Sequence, residues 1–292
     1  MFNKSHISGE DEKGFTISGN PITFFGVGLV VFIDLLGFSK EIIEKWGEDD
    51  NSPLNRLLRI KEYPIVTSAQ NQIKFGSYSV ANNGKAIFNN LYHVKVETFS
   101  DSIVLCSALP KNLSNEDFML AFLTVANASI DIWIASILEG FTVRGGLELD
   151  DVFWNASEIV GPAFIKAYHL EKFAKTSRII VGERFLTTLL FIWKHEKKFE
   201  HYINVEDSLL IPLMKSPDGY ISLNPKYMLN RSDVNAETII NKTKSLQSLC
   251  KSDDHRRKYI ELISLLTNPE KIKRPDKQDL LSYRSLLSKE TI

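Results

Sequence analysis

Two aspartates, Asp34 and Asp101, are the residues of this sequence whose surroundings favour chemistry. Asp34 follows a nearly unbroken apolar run from Phe24 to Ile33 and precedes Gly37 and a polar segment typical of a helix start. A short apolar run between turn signals predicts a buried strand. An acid at the end of such a strand lies where the backbone amides of the next turn face the same crevice. This arrangement can hold a divalent cation beside an anionic phosphate.

Asp101 lies at the turn of a predicted hairpin, between strands expected at about 92–97 and 102–106. If the hairpin is next to the first strand, Asp101 faces Asp34. Two carboxylates that converge on one point repel each other unless a cation lies between them. Taken singly, Asp34 is best interpreted as a helix cap and Asp101 as a turn residue. The two together, in this order, favour a metal site.

The composition is that of an ordinary globular protein. The chain has 292 residues, 43% hydrophobic and 24% charged, enough for one large domain with an appendage. A net charge of -1 provides no long-range attraction to nucleic acid or to an anionic membrane. Cys106 and Cys250 are interpreted as buried thiols in a reducing compartment, and the six histidines lack the spacing of zinc ligands.

Two apolar runs need testing as membrane spans. The run from Phe24 to Ile33 is too short. The run from Met119 to Leu138 is long enough, but it contains Asn127 and Asp131, which are costly in hydrocarbon. Residues 1–20 lack the apolar core of a signal peptide. We therefore expect a buried helix under a sheet in a soluble, cytoplasmic protein, with no stable membrane insertion and no nucleic-acid partner.

The hydrophobic pattern predicts the order β-α-α-β-β-α-β-α-β, an α+β fold with a ferredoxin-like sheet and helices on one face. A segment rich in Ser, Asn and Gly over 68–85 is expected to be a loop. Residues 216–219 (Ser-Pro-Asp-Gly) predict a second hairpin. From about Asp233 the pattern is helical, with stops near Ser252 and Pro275. This divides the chain into a domain at 25–230 and a helical C-terminal extension at 231–292.

Four motifs, in this order, resemble those of class III nucleotide cyclases. No single motif is specific, and the resemblance lies in their order and spacing over roughly residues 25–185. It is strongest to the bacterial cyclases that make cyclic pyrimidine nucleotides in antiphage defence. The motifs are Phe-Ile-Asp-Leu-Leu-Gly-Phe-Ser at 32–39, Val-Glu-Thr-Phe-Ser-Asp-Ser at 96–102, Arg-Gly-Gly at 144–146, and Gly-Pro-Ala at 161–163 followed by Leu-Glu at 170–171, Ala174 and Arg178-Ile179.

The resemblance implies cyclisation of a nucleoside triphosphate, in which the ribose 3′ oxygen attacks the α-phosphate and expels diphosphate. The reaction needs a lower hydroxyl pKa and neutralised phosphate charge, which two Mg²⁺ or Mn²⁺ ions per site would supply. By this resemblance Asp34 and Asp101 ligate both ions, and the Leu35 carbonyl is a third ligand. The backbone amides expected to cradle the β- and γ-phosphates are those of Leu36, Gly37 and Phe38.

Two glutamates are the expected base-recognition residues. Glu97 matches the position where guanylate cyclases carry a purine-reading glutamate, and Glu158 lies near the family's second base-reading position. A carboxylate only accepts hydrogen bonds, so Glu97 suits guanine, or cytosine through its N4 amino group. The lysine typical of adenine selection is absent. The overall resemblance favours CTP or UTP, and guanylate or adenylate cyclisation is the alternative.

One helix departs from the family pattern. Many class III cyclases carry an asparagine and, four residues later, an arginine that stabilises the transition state; here those positions are Ile165 and His169. Arg144, Lys166 and His169 are the candidates for the arginine role. The same departure is expected of a catalytically degenerate domain that senses nucleotide without converting it.

The family builds its sites across a dimer, so the resemblance implies a homodimer with two sites. A downstream effector that binds a cyclic nucleotide is the other expected partner. No sensor domain is recognisable, so activation would come from outside the chain. The leucines of the extension lie on one face of each predicted helix and must be buried. We expect the extension to brace the dimer or a partner and to take no direct part in chemistry.

Overall fold

The computed structural model describes residues 15–16, 23–47, 49–62, 94–109, 114–155, 158–195, 212–229, 235–250, 252–268 and 275–290. The strands are β1 (Phe15–Thr16), β2 (Thr23–Leu36), β3 (Val94–Phe99), β4 (Ser102–Ala108), β5 (Thr142–Trp154), β6 (Ile159–Val160), β7 (Ile179–Val181), β8 (Leu213–Lys215) and β9 (Ile221–Leu223). The helices are α1 (Phe38–Lys45), α2 (53–62), α3 (Asn115–Leu138), α4 (Pro162–Phe173), α5 (Glu183–His195), α6 (Lys226–Leu229), α7 (Ala236–Leu249), α8 (Asp253–Thr267) and α9 (Lys277–Glu290).

One mixed sheet organises the described chain. Its strand order is β3-β4-β2-β5-β7-β9-β8, with β1 added to β2 and β6 added to β5. Among the described strands, only β5 and β7 pair in parallel, and the other pairings are antiparallel. Strands β5, β2, β4 and β3 are neighbours in the order typical of a ferredoxin-like unit. The predicted α+β class and the predicted element order are confirmed.

Strand β2 runs through the centre of the sheet and is buried on both faces. Side chains alternate along a strand, so Leu29, Val31 and Ile33 enter the main core while Val30 and Phe32 enter a second cluster. Helices α1, α2 and α3 contribute to the main core. Helix α4 covers the second cluster with its alanines and with aromatic contacts to Phe32. The predicted placement of the helices on one face of the sheet holds for α1–α3. It is wrong for α4, which covers the other face.

The long apolar segment predicted as a buried helix is α3. Among the described residues, one helical stretch is long and apolar enough to cross a membrane, Ala121–Leu138, and 83% of it is buried inside the structure. Two of its buried hydroxyl groups, those of Ser129 and Ser136, donate to backbone carbonyls four residues earlier. Such burial is typical of a core helix.

The C-terminal helices pack on the sheet instead of forming a core of their own. Leu262, Leu266, Leu280 and Leu287 belong to the same hydrophobic cluster as the central strands. The Tyr283 hydroxyl donates to a backbone carbonyl of β7 at 2.8 Å. The predicted stops are confirmed, because α7 ends at 249 and α9 begins at 277. The extension therefore shares one core with the residues at 25–230.

Several details differ from the sequence-based expectation. Strand β5 continues seven residues past Leu147, because the buried carboxylates of Glu148 and Asp150 find hydrogen-bond donors on α4 and α5. Cys106 is buried as expected, whereas Cys250 is partly exposed. The second hairpin forms between β8 and β9. The predicted loop at 68–85 and the start of the strand expected from 208 lie outside the described residues.

Candidate functional site

The C-terminal end of β2 brings the two predicted aspartates together. Asp34 is opposite Ser102 on β4 and opposite Arg144 on β5. Asp101 lies in the hairpin turn directly before Ser102, and its backbone carbonyl accepts a hydrogen bond from the Leu35 amide at 3.2 Å. The hairpin is therefore the neighbour of β2, which is the condition under which Asp101 was expected to face Asp34. Both carboxyl groups lie at the same end of the sheet.

The electrostatic environment of Asp34 is unbalanced. Burial raises the pKa of its carboxyl group above the ordinary value; the Arg144 charge opposes this rise, and the Asp101 charge adds to it. The net shift is upward, so the contact with Arg144 only partly offsets the cost of burying this carboxylate beside Asp101. A site of this kind gains from an additional cation.

Arg144 is the cation in contact with Asp34. Its Nε and Nη2 donate to Asp34 Oδ2 at 3.2 and 3.1 Å, and its Nε also contacts Oε1 of Glu171 on α4. Glu171 is buried, and burial raises the pKa of its carboxyl group. Sequence reasoning listed Arg144 but missed Glu171. The glutamate was visible only as part of a Leu-Glu pair in a motif, and nothing local indicated that α4 would bring it to Asp34.

The turn after β2 leaves backbone amides available. Gly37 has φ 90°, a left-handed conformation that favours glycine, and it caps α1 without a side-chain hydrogen bond to the first turn. The amides that begin a helix have no intrahelical acceptor and attract anions. Backbone amides alternate in direction along a strand. The Leu35 amide points to the hairpin, so the Leu36 amide points to β5. As amides that could bind phosphate, the geometry therefore favours those of Gly37, Phe38 and the next residue over that of Leu36.

Two lysines add positive charge near the aspartates. Lys61 on α2 lies close enough to Asp101 for the charges to interact; burial lowers the pKa of Lys61, and Asp101 opposes this shift. Burial raises the pKa of Asp34, and the charge of Lys258 on α8 is one of those that oppose this rise. The backbone carbonyl of Lys258 accepts from the Ser177 amide at 3.2 Å. Helix α8 therefore borders the site, although the sequence suggested that the extension would lie apart from it.

The donor atoms present suit a hard divalent cation. Within the described ranges, no group of three or more His, Cys, Asp or Glu side chains is placed to hold a metal ion. Asp34 and Asp101 supply two carboxylates, and the Leu35 carbonyl shares the direction of its amide, toward the Asp101 turn. Mg²⁺ is commonly held by one or two carboxylates completed by water and substrate phosphates. The residues fit a metal that is bound together with a nucleotide.

The two expected base-recognition residues lie away from Asp34 within one chain. Glu97 is on β3 and pairs with Lys95 at 2.7 Å. It is two strands from β2, so its Cα lies about 12 Å from that of Asp34 by strand spacing. Glu158 is exposed in the turn after β5, about 30 Å along the strand from Arg144. One chain alone does not bring either carboxylate to the aspartates.

Of the three candidates for a transition-state cation, only Arg144 lies at the aspartates. Lys166 donates to Asp150 at 2.6 Å, and Asp150 is six residues along β5 from Arg144, about 20 Å away. His169 lies on the exposed side of α4, beside the ring of Tyr168. Neither side chain contacts Asp34, so the placement of Lys166 and His169 in this chain does not support the role expected of them.

Comparison with known proteins gives only structural matches. No family model matches the sequence, and no curated protein matches it. The catalytic core of a rhodopsin-guanylyl cyclase with converted specificity, in complex with ATPαS, matches with a TM-score of 0.37 and 15% identity, over 56% of this chain and 81% of that one.

Two further solved structures also match this chain at low identity. The guanylyl cyclase Cya2 matches with a TM-score of 0.35 and 12% identity, over 56% of this chain and 78% of that one. A class III adenylyl cyclase-like ATP-binding protein from Pseudomonas aeruginosa matches with a TM-score of 0.39 and 12% identity, over 85% of this chain and 45% of that one. TM-scores and identities this low do not assign an activity to this chain.

Proposed function

We propose that this protein is a metal-dependent nucleotide cyclase that converts CTP or UTP to a 3′,5′-cyclic mononucleotide and diphosphate. The observation that carries the proposal is the meeting of Asp34 and Asp101 on adjacent strand ends, beside the uncapped N-terminus of α1. Carboxylates for a divalent ion and amides for phosphates occur together at this point. This combination suits a metal-bound nucleoside triphosphate.

The chain's own residues would bind and orient the triphosphate. Asp34 and Asp101 would hold Mg²⁺ or Mn²⁺, which when bound lowers the pKa of the ribose 3′ hydroxyl and neutralises phosphate charge. The amides of Gly37 and Phe38 would donate to phosphate oxygens. Lys61 and Lys258 add positive charge around the same point, which favours a polyanion.

The choice of a pyrimidine rests on the resemblance of the four motifs, and Glu97 is the proposed reader of the base. Glu97 and Lys95 lie on the same strand face and are paired, so they present an acceptor and a donor side by side. Cytosine offers an N4 amino donor to such a carboxylate. An antiphage role, a cytoplasmic location and a downstream cyclic-nucleotide effector rest on the same resemblance.

A homodimer is part of the proposal, because one chain separates the base-reading and metal-binding residues. Glu97 and Glu158 lie far from Asp34 within a chain, so a second copy would have to supply them. Helix α4 offers a surface for such a contact, since Ile165 and Tyr168 are exposed on it and Val160 is exposed just before it. Exposed apolar residues that are close together are typical of interaction surfaces.

Product analysis tests the function. The purified protein is incubated with each of the four ribonucleoside triphosphates and Mn²⁺, and products are identified by mass spectrometry. We expect a cyclic pyrimidine nucleotide from the wild type and none from Asp34→Asn or Asp101→Asn. Asp253→Asn is a matched control, because its carboxylate is 82% exposed and pairs with Arg256 on its own helix. Equal product from all four proteins would contradict the assignment.

The second candidate function is a nucleotide-sensing module without catalysis. It is favoured by one observation, that Ile165 and His169 stand exposed on α4 where many class III cyclases carry their asparagine and arginine. Calorimetric binding of a triphosphate with Mn²⁺, without any product over hours, would support it. A cyclic product from the wild type would exclude it.

A further inference from the structure

Arg144 contacts two carboxylates that come from different elements. Its side chain, 35% exposed, lies between Asp34 on β2, 19% exposed, and Glu171 on α4, 5% exposed. Two of its nitrogens donate to the same oxygen of Asp34, and one of these also contacts Glu171. The guanidinium carries five donors in a rigid fork, so it can serve two acids at once.

The geometry keeps Glu171 within reach whatever Asp34 binds. Helix α4 packs closely on β5 at Gly146, where an added Cβ would lie 2.3 Å from the carbonyl oxygen of Ala167 and 2.4 Å from Leu170 Cβ. Glu171 is the next residue along α4, and Arg144 lies two residues before Gly146 on the same face of β5. The Arg144–Glu171 contact therefore depends on rigid elements, whereas Arg144 itself is partly open to solvent.

Charge balance makes the arginine and a divalent ion competitors. A buried carboxylate without a counter-ion is costly, so in the metal-free site Arg144 must serve both acids. A divalent ion on Asp34 would place two positive groups on the same carboxylate, where they repel. Glu171 is then left as the acid that needs the arginine, and its contact with Arg144 already exists.

We propose that Arg144 is an internal counter-ion that holds Asp34 until a divalent metal arrives and then moves wholly to Glu171. This inference rests on the proposed metal site and adds two positioning residues to it. Arg144 is then a regulator of metal affinity and Glu171 its receiving partner. The exchange lets the metal-free site stay folded with its acids neutralised.

The two partners should change metal affinity in opposite directions. Mn²⁺ binding to the full chain is measured by calorimetry without nucleotide, and folding is checked by thermal melting. We expect Arg144→Gln to bind Mn²⁺ about tenfold more tightly, since the competing charge-assisted hydrogen bonds are gone. We expect Glu171→Gln to bind about tenfold more weakly, since Arg144 then has only Asp34 to pair with.

A matched variant separates exchange from simple charge removal. Lys258→Gln also removes one positive charge near Asp34, but Lys258 has no hydrogen bond to it among the described contacts. We expect a change below about threefold, because solvent screens charges that are not in contact. If Arg144→Gln binds Mn²⁺ as the wild type does, or gains no more than Lys258→Gln, the proposal fails. The double variant Arg144→Gln/Glu171→Gln removes the arginine and its buried partner Glu171 together, and it is measured if Arg144→Gln alone does not fold.

Failure of this inference is distinguishable from failure of the proposed function. Asp34→Asn should lose Mn²⁺ binding if the metal site is correct. Lost binding in Asp34→Asn together with unchanged binding in Arg144→Gln would overturn only the exchange. Unchanged binding in Asp34→Asn would overturn the metal site, and the exchange with it.

Discussion

Two clusters of buried acids lie along strand β5, and they differ in how well their charges are balanced. At its middle, the Glu148 carboxylate accepts from the backbone amides of Leu149 and Phe185 at 2.8 and 2.9 Å. Asp150 accepts from Lys166 and contacts Arg184. At its start, by contrast, a single cation among the described residues, Arg144, contacts both Asp34 and Glu171. The charge of the Asp101 carboxylate also acts on Asp34.

The pKa shifts of Asp150 and Asp34 differ in direction, although burial raises the pKa of Glu148 as well, despite its two backbone donors. Burial raises the pKa of Asp150 in isolation, but the hydrogen bond and charge of Lys166 and the charge of Arg184 bring it below the ordinary value. For Asp34 the balance runs the other way, and the pKa is raised. An acid whose partners suffice is interpreted as structural, and an acid whose partners are too few favours a functional site. Burial alone does not distinguish them.

Removing the C-terminal extension should disturb both clusters and have the largest effect. A chain that ends at residue 230 loses four buried leucines of the shared core, each contributing about 1.5–3 kcal/mol. We expect the free energy of unfolding to fall by about 6–12 kcal/mol, which is comparable to the whole stability of a typical domain. This differs from the expectation that the extension serves only to brace the dimer or a partner.

Thermal melting by circular dichroism measures that effect. A chain that ends at 274 lacks only α9 and serves as the graded control, because it keeps Leu262 and Leu266 in place. Cooperative melting of the shorter chain at the wild-type temperature would show that the extension has no part in the core.

The unbalanced cluster should govern activity without governing stability. Asp34→Asn and Asp101→Asn should each lower turnover by about 10³-fold or more, because either change removes a proposed metal ligand. Their melting temperatures should stay within a few degrees of the wild type, because the repulsion between the two acids is relieved. Initial rates and melting curves on the same preparations check both parts. Near-normal turnover of either variant, with metal still required, would contradict the assignment of Asp34 and Asp101 as metal ligands.

The balanced cluster should govern stability and its dependence on pH. Asp150→Asn should lower the free energy of unfolding by about 1–2 kcal/mol near pH 6, because Lys166 and Arg184 are half exposed and lose one shared acid. The pKa of Asp150 is lowered in the folded state. Its contribution is therefore present above the ordinary value of 3.8 and is lost as the pH falls through the folded pKa.

Urea unfolding at pH 6 and at pH 3 checks this prediction. The difference between wild type and Asp150→Asn should shrink in acid. A difference that grows as the pH falls would mean that Asp150 is not stabilised as a carboxylate. We place Asp150 outside the site, so the turnover of Asp150→Asn under native conditions should stay near that of the wild type, unlike that of Asp34→Asn.

Glu97 should have the smallest effect, confined to the choice of base. Glu97→Lys removes the acceptor and places a second positive charge beside Lys95, so use of the native base should weaken about tenfold relative to the others. Competition among the four triphosphates measures the ratio directly. Unchanged ratios would show that Glu97 is a strand residue paired with Lys95 and nothing more.

The local pattern was enough for the elements and their order. Apolar runs of strand and helix length, with turn residues between them, predicted the α+β class, the hairpin around Asp101 and the buried helix α3. The same pattern also argued against placing all the helices on one face of the sheet. An unbroken apolar run such as that of β2 is typical of a strand covered on both faces. Helix α4 covers the second face of this strand.

Tertiary structure alone decided which charges meet. Arg144 reaches Asp34 across 110 residues of sequence, and nothing near either residue specifies the pairing; the antiparallel register of β2 and β5 does. Glu171 and Lys258 come to the same point because α4 and α8 pack there. A sequence pattern states which side of an element is buried, because period and polarity are local properties. It does not state what lies opposite, because that depends on how distant elements pack together.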